Sequence, residues 1–600
     1  MTDPAATGLA GRGSTWWKVL AVVWVAAALC EWHFLDRGWL PHDEGTLAQS
    51  AERLLGGELP HRDFDEVWTG GLTFLNAGAF GVFGLRLVAL RFPLFAVFLL
   101  WVPALYYIAT RFARPAVAGA VTALGVAWSL PQYSAAVPSW YNLFFATFAA
   151  AALLRAVETE RRRWLFAAGV VLGLSMIFKI AGLFCVAAVF LWFVYRESTL
   201  VRPPGLGSRS YATAIGTALA AFVAALVWLV HRRLAIGEVS HFVLPGAALA
   251  VLAYRECIAS AAGGWARFGS MVRMMTPFVA GLALPIAILV VSYVHLGAFG
   301  MLWNDVFIAP VRRLDLAARS LPNPATDLAA LPIAWLIGLL PLSRLPPLAR
   351  RITLSVSTVA LVAFLVLSRH PVWYSIRPLL PLTVVVGAWV LARRDTALAP
   401  LRRQQLFVLL AMAAMWSLVQ FPFAWPPYFF YVAPLAAVSA LAVLESLGPR
   451  PGLLGGMVLL LFLVFAFVNT HPSRHPQVRL ALERGGLVVG APDAARYEAL
   501  VGLLRSHASG GYTYAAPDCP EVYFLAGLAN PTRTLWEFLS DTTGQTAHVL
   551  RALEDHHVTA IALNRVPPFS GPLPKDLEDS LAARYPRMDS LDLFTVRWRP

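Results

Sequence analysis

Apolar residues in this chain come in blocks of roughly 16–22, the length a helix needs to cross about 30 Å of hydrocarbon. Inside hydrocarbon a segment must close its own backbone hydrogen bonds, so such blocks fold as helices. Candidate spans cover 16–35, 87–110, 115–132, 140–156, 164–178, 180–195, 211–230, 239–253, 276–296, 327–342, 352–368, 375–392, 405–421, 429–446 and 452–470. Several are short, notably 164–178, 180–195 and 239–253. The expected fold is a polytopic α-helical membrane protein with about 11–15 transmembrane helices, given how loosely sequence sets boundaries. Composition points the same way. Of 600 residues, 58% are hydrophobic and 14% charged, against about 25% charged in soluble proteins. A water-soluble multidomain chain is excluded.

The net charge of +14 would suggest nucleic acid in a soluble protein. Here the arginines sit between apolar blocks, at Arg161–Arg163, Arg350–Arg351, Arg393–Arg394 and Arg402–Arg403. That is the positive-inside pattern, which orients a membrane protein, and no nucleic-acid partner is expected. It places the N-terminus in the cytoplasm, in a bacterial inner membrane, and leaves 36–86, 133–139, 297–326, 369–374 and 422–428 outside. Arg232, Arg233, Arg312 and Arg313 break the pattern. No small-x-small cleavage site follows the run from Trp16 to Leu35, so it reads as a first span rather than a removed signal.

After Thr470 charges return and patterns alternate, so the chain divides into a membrane domain, 1–470, and a soluble domain, 471–600. The second reads as a small α/β unit on the extracytoplasmic side. Helix-like stretches run over 495–507, 520–527 and 546–556, with strand-like ones at Tyr512–Ala515, Thr559–Leu563 and Leu591–Trp598. Cys30, Cys185, Cys257 and Cys519 have no disulfide or metal spacing. His507, His556 and His557 read as surface or packing residues.

The first outer loop, 36–86, concentrates acidic residues in a chain that has only 34. Asp43-Glu44 follows the first span, and Asp63, Asp65 and Glu66 follow a Pro60-His61-Arg62 turn. Between them, 45–55 has helical spacing of Leu47, Ala51, Leu54 and Leu55 and stops at Gly56-Gly57, as an interfacial amphipathic helix would. Gly70 to Phe83 is a second apolar stretch. Paired carboxylates beside a membrane suit a general base and a partner for a cation or a sugar hydroxyl; solvated loop charge is the plainer alternative. Lysine occurs only at 18, 179 and 575 among 48 basic residues. Lys179 interrupts an apolar run, where an ionisable group marks a candidate functional site, unless it snorkels from a helix end.

The loop sequence HDEGTLAQSAERLLGGELPHRDFDEVWTGGLTFLNAGAFGVFG resembles the first periplasmic loop of the GT-C class of integral membrane glycosyltransferases, which includes aminoarabinose transferases and protein O-mannosyltransferases. The match consists of the acidic pair Asp43-Glu44, the turn Pro60-His61-Arg62-Asp63, the Phe83-Gly84 end and Arg91 in LVALRFPLF. LGLSMIFKIAG (172–182) is similar to the class's short-helix pair around a lysine, and WPPYFFYVAPLAAVSALAVLE (425–445) to its late Tyr/Pro-rich span. Two features depart from the pattern: Val67-Trp68-Thr69-Gly70 stands where relatives carry Lys-Pro or Pro-Pro, and His61 where an aromatic is common.

The resemblance implies inverting transfer of a sugar from a polyprenyl-phosphate-type lipid donor to a lipid, glycan or protein acceptor outside the cytoplasm. On this reading Asp43 is the base and Glu44 positions it or a sugar hydroxyl. Lys179 and Arg91 hold the donor phosphate, Arg91 having the alternative of an ordinary helix start. Asp63, Asp65 and Glu66 are candidates for the acceptor or a divalent cation, the one candidate cofactor. His370, Tyr374, Arg377 and Tyr428 would line a groove for lipid or acceptor, unless they form an interfacial aromatic belt. A transporter or flippase, which would place ionisable groups at the midplane, and a non-catalytic subunit of envelope glycan assembly are the competing readings.

Overall fold

The computed structural model describes residues 13–200, 208–260, 264–309, 319–322, 345–367, 376–393, 398–447, 475–537 and 545–599. Among these, seven helical segments are long and apolar enough to cross a membrane: Ser14–Phe34, Leu87–Ala109, Pro138–Thr159, Ile180–Thr199, Arg209–Arg233, Ile236–Ala259 and Gly264–His295. Gly71–Phe83, Leu379–Ala392 and Ala433–Ser446 are shorter apolar helices. The chain is a multi-pass membrane protein with a small α/β region at its C-terminal end. The expected spans 327–342 and 452–470 and the expected domain junction lie outside the described residues.

The first helices in order are α1 (Ser14–Phe34), α2 (Pro41–Leu55), α3 (Gly71–Phe83), α4 (Arg91–Ala109), α5 (Pro115–Ala127), α6 (Pro138–Thr159), α7 (Arg162–Phe178), α8 (Leu183–Thr199) and α9 (Ser208–Val230). Proline opens α2, α5 and α6, where its missing N–H costs no helical hydrogen bond. Gly70, at φ 97°, turns the chain into α3, and Gly84, at φ 83°, ends it; neither conformation suits a side chain.

Packing between spans relies on close backbone approach. A Cβ at Gly169 would stand 2.1 Å from the Phe278 carbonyl oxygen, and one at Gly281 2.1 Å from that of Phe166. Gly169 and Gly173, four apart on α7, thereby seat the helix Gly264–His295, in the manner of small-xxx-small membrane packing. Trp101, Trp140, Trp192 and Trp416 are fully buried. Each indole N–H has an acceptor: Thr147 Oγ1 at 2.9 Å, the Tyr133 carbonyl at 2.9 Å, Gln404 Oε1 at 3.0 Å and the Tyr431 carbonyl at 2.7 Å.

The C-terminal region holds a sheet of order β3-β4-β6-β5, from β3 (Tyr514–Ala516), β4 (Ala560–Asn564), β5 (Arg587–Leu591) and β6 (Phe594–Trp598). β3 and β4 are parallel and the other pairs antiparallel. Helices Ala491–His507, Pro520–Ala526, Gln545–Asp555 and Lys575–Arg584 accompany it. The hairpin β1 (Gln477–Arg479) and β2 (Val488–Gly490) binds the region to the first loop. Val488 N–H donates to the Asp36 carbonyl at 2.7 Å, and Leu87 N–H to the Arg484 carbonyl at 2.9 Å. Helix Pro520–Ala526 lies against α2 so closely that a Cβ at Gly45 would stand 2.3 Å from Glu521 N.

Candidate active site

Asp43 sits in the first turn of α2, where a helix N-terminus favours an acidic side chain. Its Oδ2 accepts a hydrogen bond from the Tyr133 hydroxyl. Tyr133 belongs to the connection between α5 and α6, and its carbonyl is held by Trp140 Nε1. Burial first, then the charge of Asp43, pushes the Tyr133 phenol well above its ordinary range, so it stays a donor. The Tyr133 ring meets Tyr431 edge-on at 6.2 Å, and Tyr431 meets Tyr428 at 5.5 Å.

Lys179 closes this arc. It sits at the break between α7 and α8, with extended backbone at φ −154°, ψ 129°, between the two short spans 164–178 and 180–195 expected from sequence. Its Nζ donates to Ser139 Oγ at 2.9 Å and lies 5.7 Å from the Tyr428 ring centroid. Asn142 Nδ2 donates to the Lys179 carbonyl at 3.1 Å and fixes the break. A carboxylate, a phenol, an aromatic wall and an ammonium thus share one end of the bundle. Tyr133 and Ser139 were not singled out by sequence; their signal is a short outer connection between Pro131 and Pro138, which holds Tyr133 and leads into the first turn of α6 at Ser139.

Glu44 and Arg91, expected in catalysis and at the donor phosphate, turn to each other instead. Arg91 donates to Glu44 Oε1 at 2.8 Å and Oε2 at 2.9 Å, and to the carbonyls of Leu35 at 3.1 Å, Arg37 at 2.9 Å and Gly38 at 2.7 Å. A guanidinium has five N–H donors, and all are used. Glu44 is 0% and Arg91 2% exposed. The pair is a clamp that sets the start of α2, and through it Asp43.

The second acidic cluster is likewise committed to the fold. Glu66 accepts from Val67 N at 2.9 Å, Trp68 N at 3.3 Å and Thr73 Oγ1 at 2.7 Å, which fastens the entry to α3. Asp63 pairs with Arg62 at 2.7 Å and accepts from Leu59 N at 2.7 Å; the Arg62 hydrogen bond holds its carboxyl below the usual range. Asp65 faces Arg533 of the C-terminal region at 3.4 Å, and burial, opposed by that arginine, pushes its carboxyl up. Among the described residues no three His, Cys, Asp or Glu side chains gather as a metal site requires. Asp65 and Glu66 are engaged instead by Arg533 and by the entry to α3.

His61, at φ 68°, is buried, with Nδ1 3.1 Å from Asp305 Oδ2. The turn's departure from an aromatic thus ties the loop to the short helical stretch Asn304–Ile308. Of the groove candidates, Tyr428 joins the arc. Arg377 is buried with its Nε 3.2 Å from His241 Nε2. His370 and Tyr374 lie outside the described residues.

No protein-family model and no curated protein matches the sequence. Several solved structures are similar to it, two of them the following. The Archaeoglobus fulgidus oligosaccharyltransferase, in complex with Zn and sulfate, is 11% identical, with a TM-score of 0.43, over 91% of this chain and 68% of its own. ArnT from Cupriavidus metallidurans, bound to undecaprenyl phosphate, is 15% identical, with a TM-score of 0.37, over 98% of both chains. At these values the functional reading rests on the residues of the loop and its neighbours.

Proposed function

We propose that this protein is a membrane glycosyltransferase that moves a sugar from a polyprenyl-phosphate-type donor to a hydroxyl acceptor at the extracytoplasmic face. The observation that carries the reading is the arc from Asp43 through Tyr133, Tyr431 and Tyr428 to Lys179. The Asp43 carboxylate takes the acceptor's hydroxyl proton as that oxygen bonds to the anomeric carbon. The bond from this carbon to the phosphate oxygen breaks, and its electron pair leaves on the lipid phosphate. Attack opposite the leaving group inverts the centre. Tyr133 orients the base, and the Lys179 ammonium faces the phosphate as its charge develops.

The test is incubation of the purified full chain with a radiolabelled polyprenyl-phosphate sugar and a solubilised envelope extract. Label should pass to a new product, and Asp43→Asn, which keeps size but loses the base, should slow transfer by about 10²–10⁴. Turnover at the wild-type rate in Asp43→Asn would remove Asp43 as the base. Intact donor carried across a vesicle membrane, with no bond cleaved, would favour the transporter. The same reading places the C-terminal region outside the cytoplasm. An alkaline phosphatase fused after Pro600 should be active; a silent fusion, with an active cytoplasmic reporter at the same point, would reverse the topology.

A further inference from the structure

A cavity of about 370 Å³ opens between α4, α6 and the start of α7. It lies far from the Asp43 arc: Arg155, on its rim, follows Ser139 by sixteen residues of α6, about 24 Å along the helix axis. Ala104, Phe148, Ala151 and Ala152 form its wall, and Tyr107, Arg155 and Trp164 its rim. All but Ala152 are half-buried, so the cavity faces the surroundings of the bundle and not its interior.

The rim is cationic. Arg155 and Arg163 lie 5.7 Å and 5.4 Å from the Trp164 ring centroid, and Arg111 4.3 Å from that of Tyr107. Glu158 is the carboxylate among them, and both its oxygens are engaged. Tyr107 Oη donates to one at 2.9 Å and Gln405 Nε2 to the other at 3.1 Å, with Arg155 at 3.4 Å and Arg111 at 3.5 Å. Arg161 and Arg162 are exposed alongside. The Trp164 indole nitrogen is buried with no hydrogen-bond partner, and such a donor costs free energy unless something accepts from it.

We propose that this cavity seats one anionic phospholipid, with an acyl chain along the Ala104–Phe148–Ala151 wall and the phosphate at Arg155, Arg163 and the Trp164 N–H. An amphiphile fits both halves, since a free phosphate would leave the apolar wall bare and a neutral lipid would bring no negative charge to a rim on which Arg111 and Arg155 already share Glu158. Arginine is suited to such a contact by its forked donors, and by the positive-inside pattern this arginine-rich end of the bundle is expected to face an anionic leaflet. The inference concerns the membrane domain alone and is independent of the transferase reading.

The test reconstitutes the full chain in phosphatidylcholine vesicles that contain a minor fraction of brominated lipid, either phosphatidylglycerol or phosphatidylcholine. Bromine quenches tryptophan on contact, and subtracting the signal of Trp164→Phe isolates Trp164. Quenching by brominated phosphatidylglycerol should be several-fold the greater. Arg155→Gln and Arg163→Gln should each reduce that preference, and the double variant should abolish it; Arg163 is exposed, so its loss leaves packing intact. Equal quenching by the two lipids, or a preference that survives the double variant, would overturn the proposal. Competition by inorganic phosphate would overturn the lipid as its source.

Discussion

Lys179 and Arg91 are both cations next to helix ends, and their surroundings separate them. Arg91 spends every N–H on Glu44 and three carbonyls, whereas Lys179 stands on an aromatic wall beside Ser139. On the proposed function, Lys179→Met removes one charge-assisted contact to the donor phosphate, which is worth about 1.5–3 kcal/mol. The apparent donor constant should rise roughly ten- to a hundredfold. Lys179→Arg should recover part of this, because a planar fork does not replace a compact ammonium. Titrating lipid-linked sugar against all three proteins in one detergent decides it: equal constants would return Lys179 to a helix-end role. At this scale the sequence marked Asp43 and Lys179 by rarity and position. The base's role for Asp43 and a supporting one for Glu44 came from the family resemblance alone; adjacent residues of a helix point in different directions, and the partner across the fold, Tyr133 for Asp43 and Arg91 for Glu44, tells them apart.

The helix α2 was legible from its periodicity and its glycine stop, and the structure extends it back to Pro41. What covers it was not legible. Its small residues Ala48 and Ala51 are fully buried, and Gly45 meets helix Pro520–Ala526, from the far end of the chain. Such contacts leave no local trace in sequence; neither does the Gly169–Gly173 seat, which reads as an ordinary stretch of apolar helix until its partner is known. Gly45→Ala tests the docking by its sign. Helix propensity alone favours alanine by about 0.5–1 kcal/mol. A Cβ placed 2.3 Å from a backbone nitrogen forces a shift, and overpacking of this kind costs about 1–3 kcal/mol. The variant should melt at a lower temperature and release the C-terminal region to limited proteolysis sooner. A raised melting temperature would mean that the two helices do not meet this way.

Across the whole molecule, an α/β region at the far end of the chain could be read from the return of charge and alternation after Thr470, and three expected strands appear as β3, β4 and β6. Its β5 is mostly polar and exposed, which leaves no apolar period to read; the helix Lys575–Arg584 has a buried face of Leu577 and Leu581, but that signal is two residues long among charged neighbours. Also hidden was the way this region buries carboxylates beside the first loop. Glu521 accepts from the Tyr497 hydroxyl at 2.8 Å, while its second oxygen is buried without a hydrogen-bond partner. Burial pushes its carboxyl up to about 7, and that of Glu537 up to about 8. Both stand at about 4.5 when unburied, so between pH 4.5 and about 7–8 the folded protein binds more protons than the unfolded chain. Stability then falls as pH rises through that window; it is greatest below the unfolded value and lost as pH passes the folded ones. Melting temperature should therefore decline from pH 5 to pH 8. Glu521→Gln keeps the shape and the bond from Tyr497 but carries no titrating proton, so its melting temperature should change less over the same range. It should exceed the wild type's most clearly at pH 8, where the native carboxyl must ionise in a buried site. A variant that melts in parallel with the wild type from pH 5 to pH 8 would rule out Glu521 as a source of the dependence.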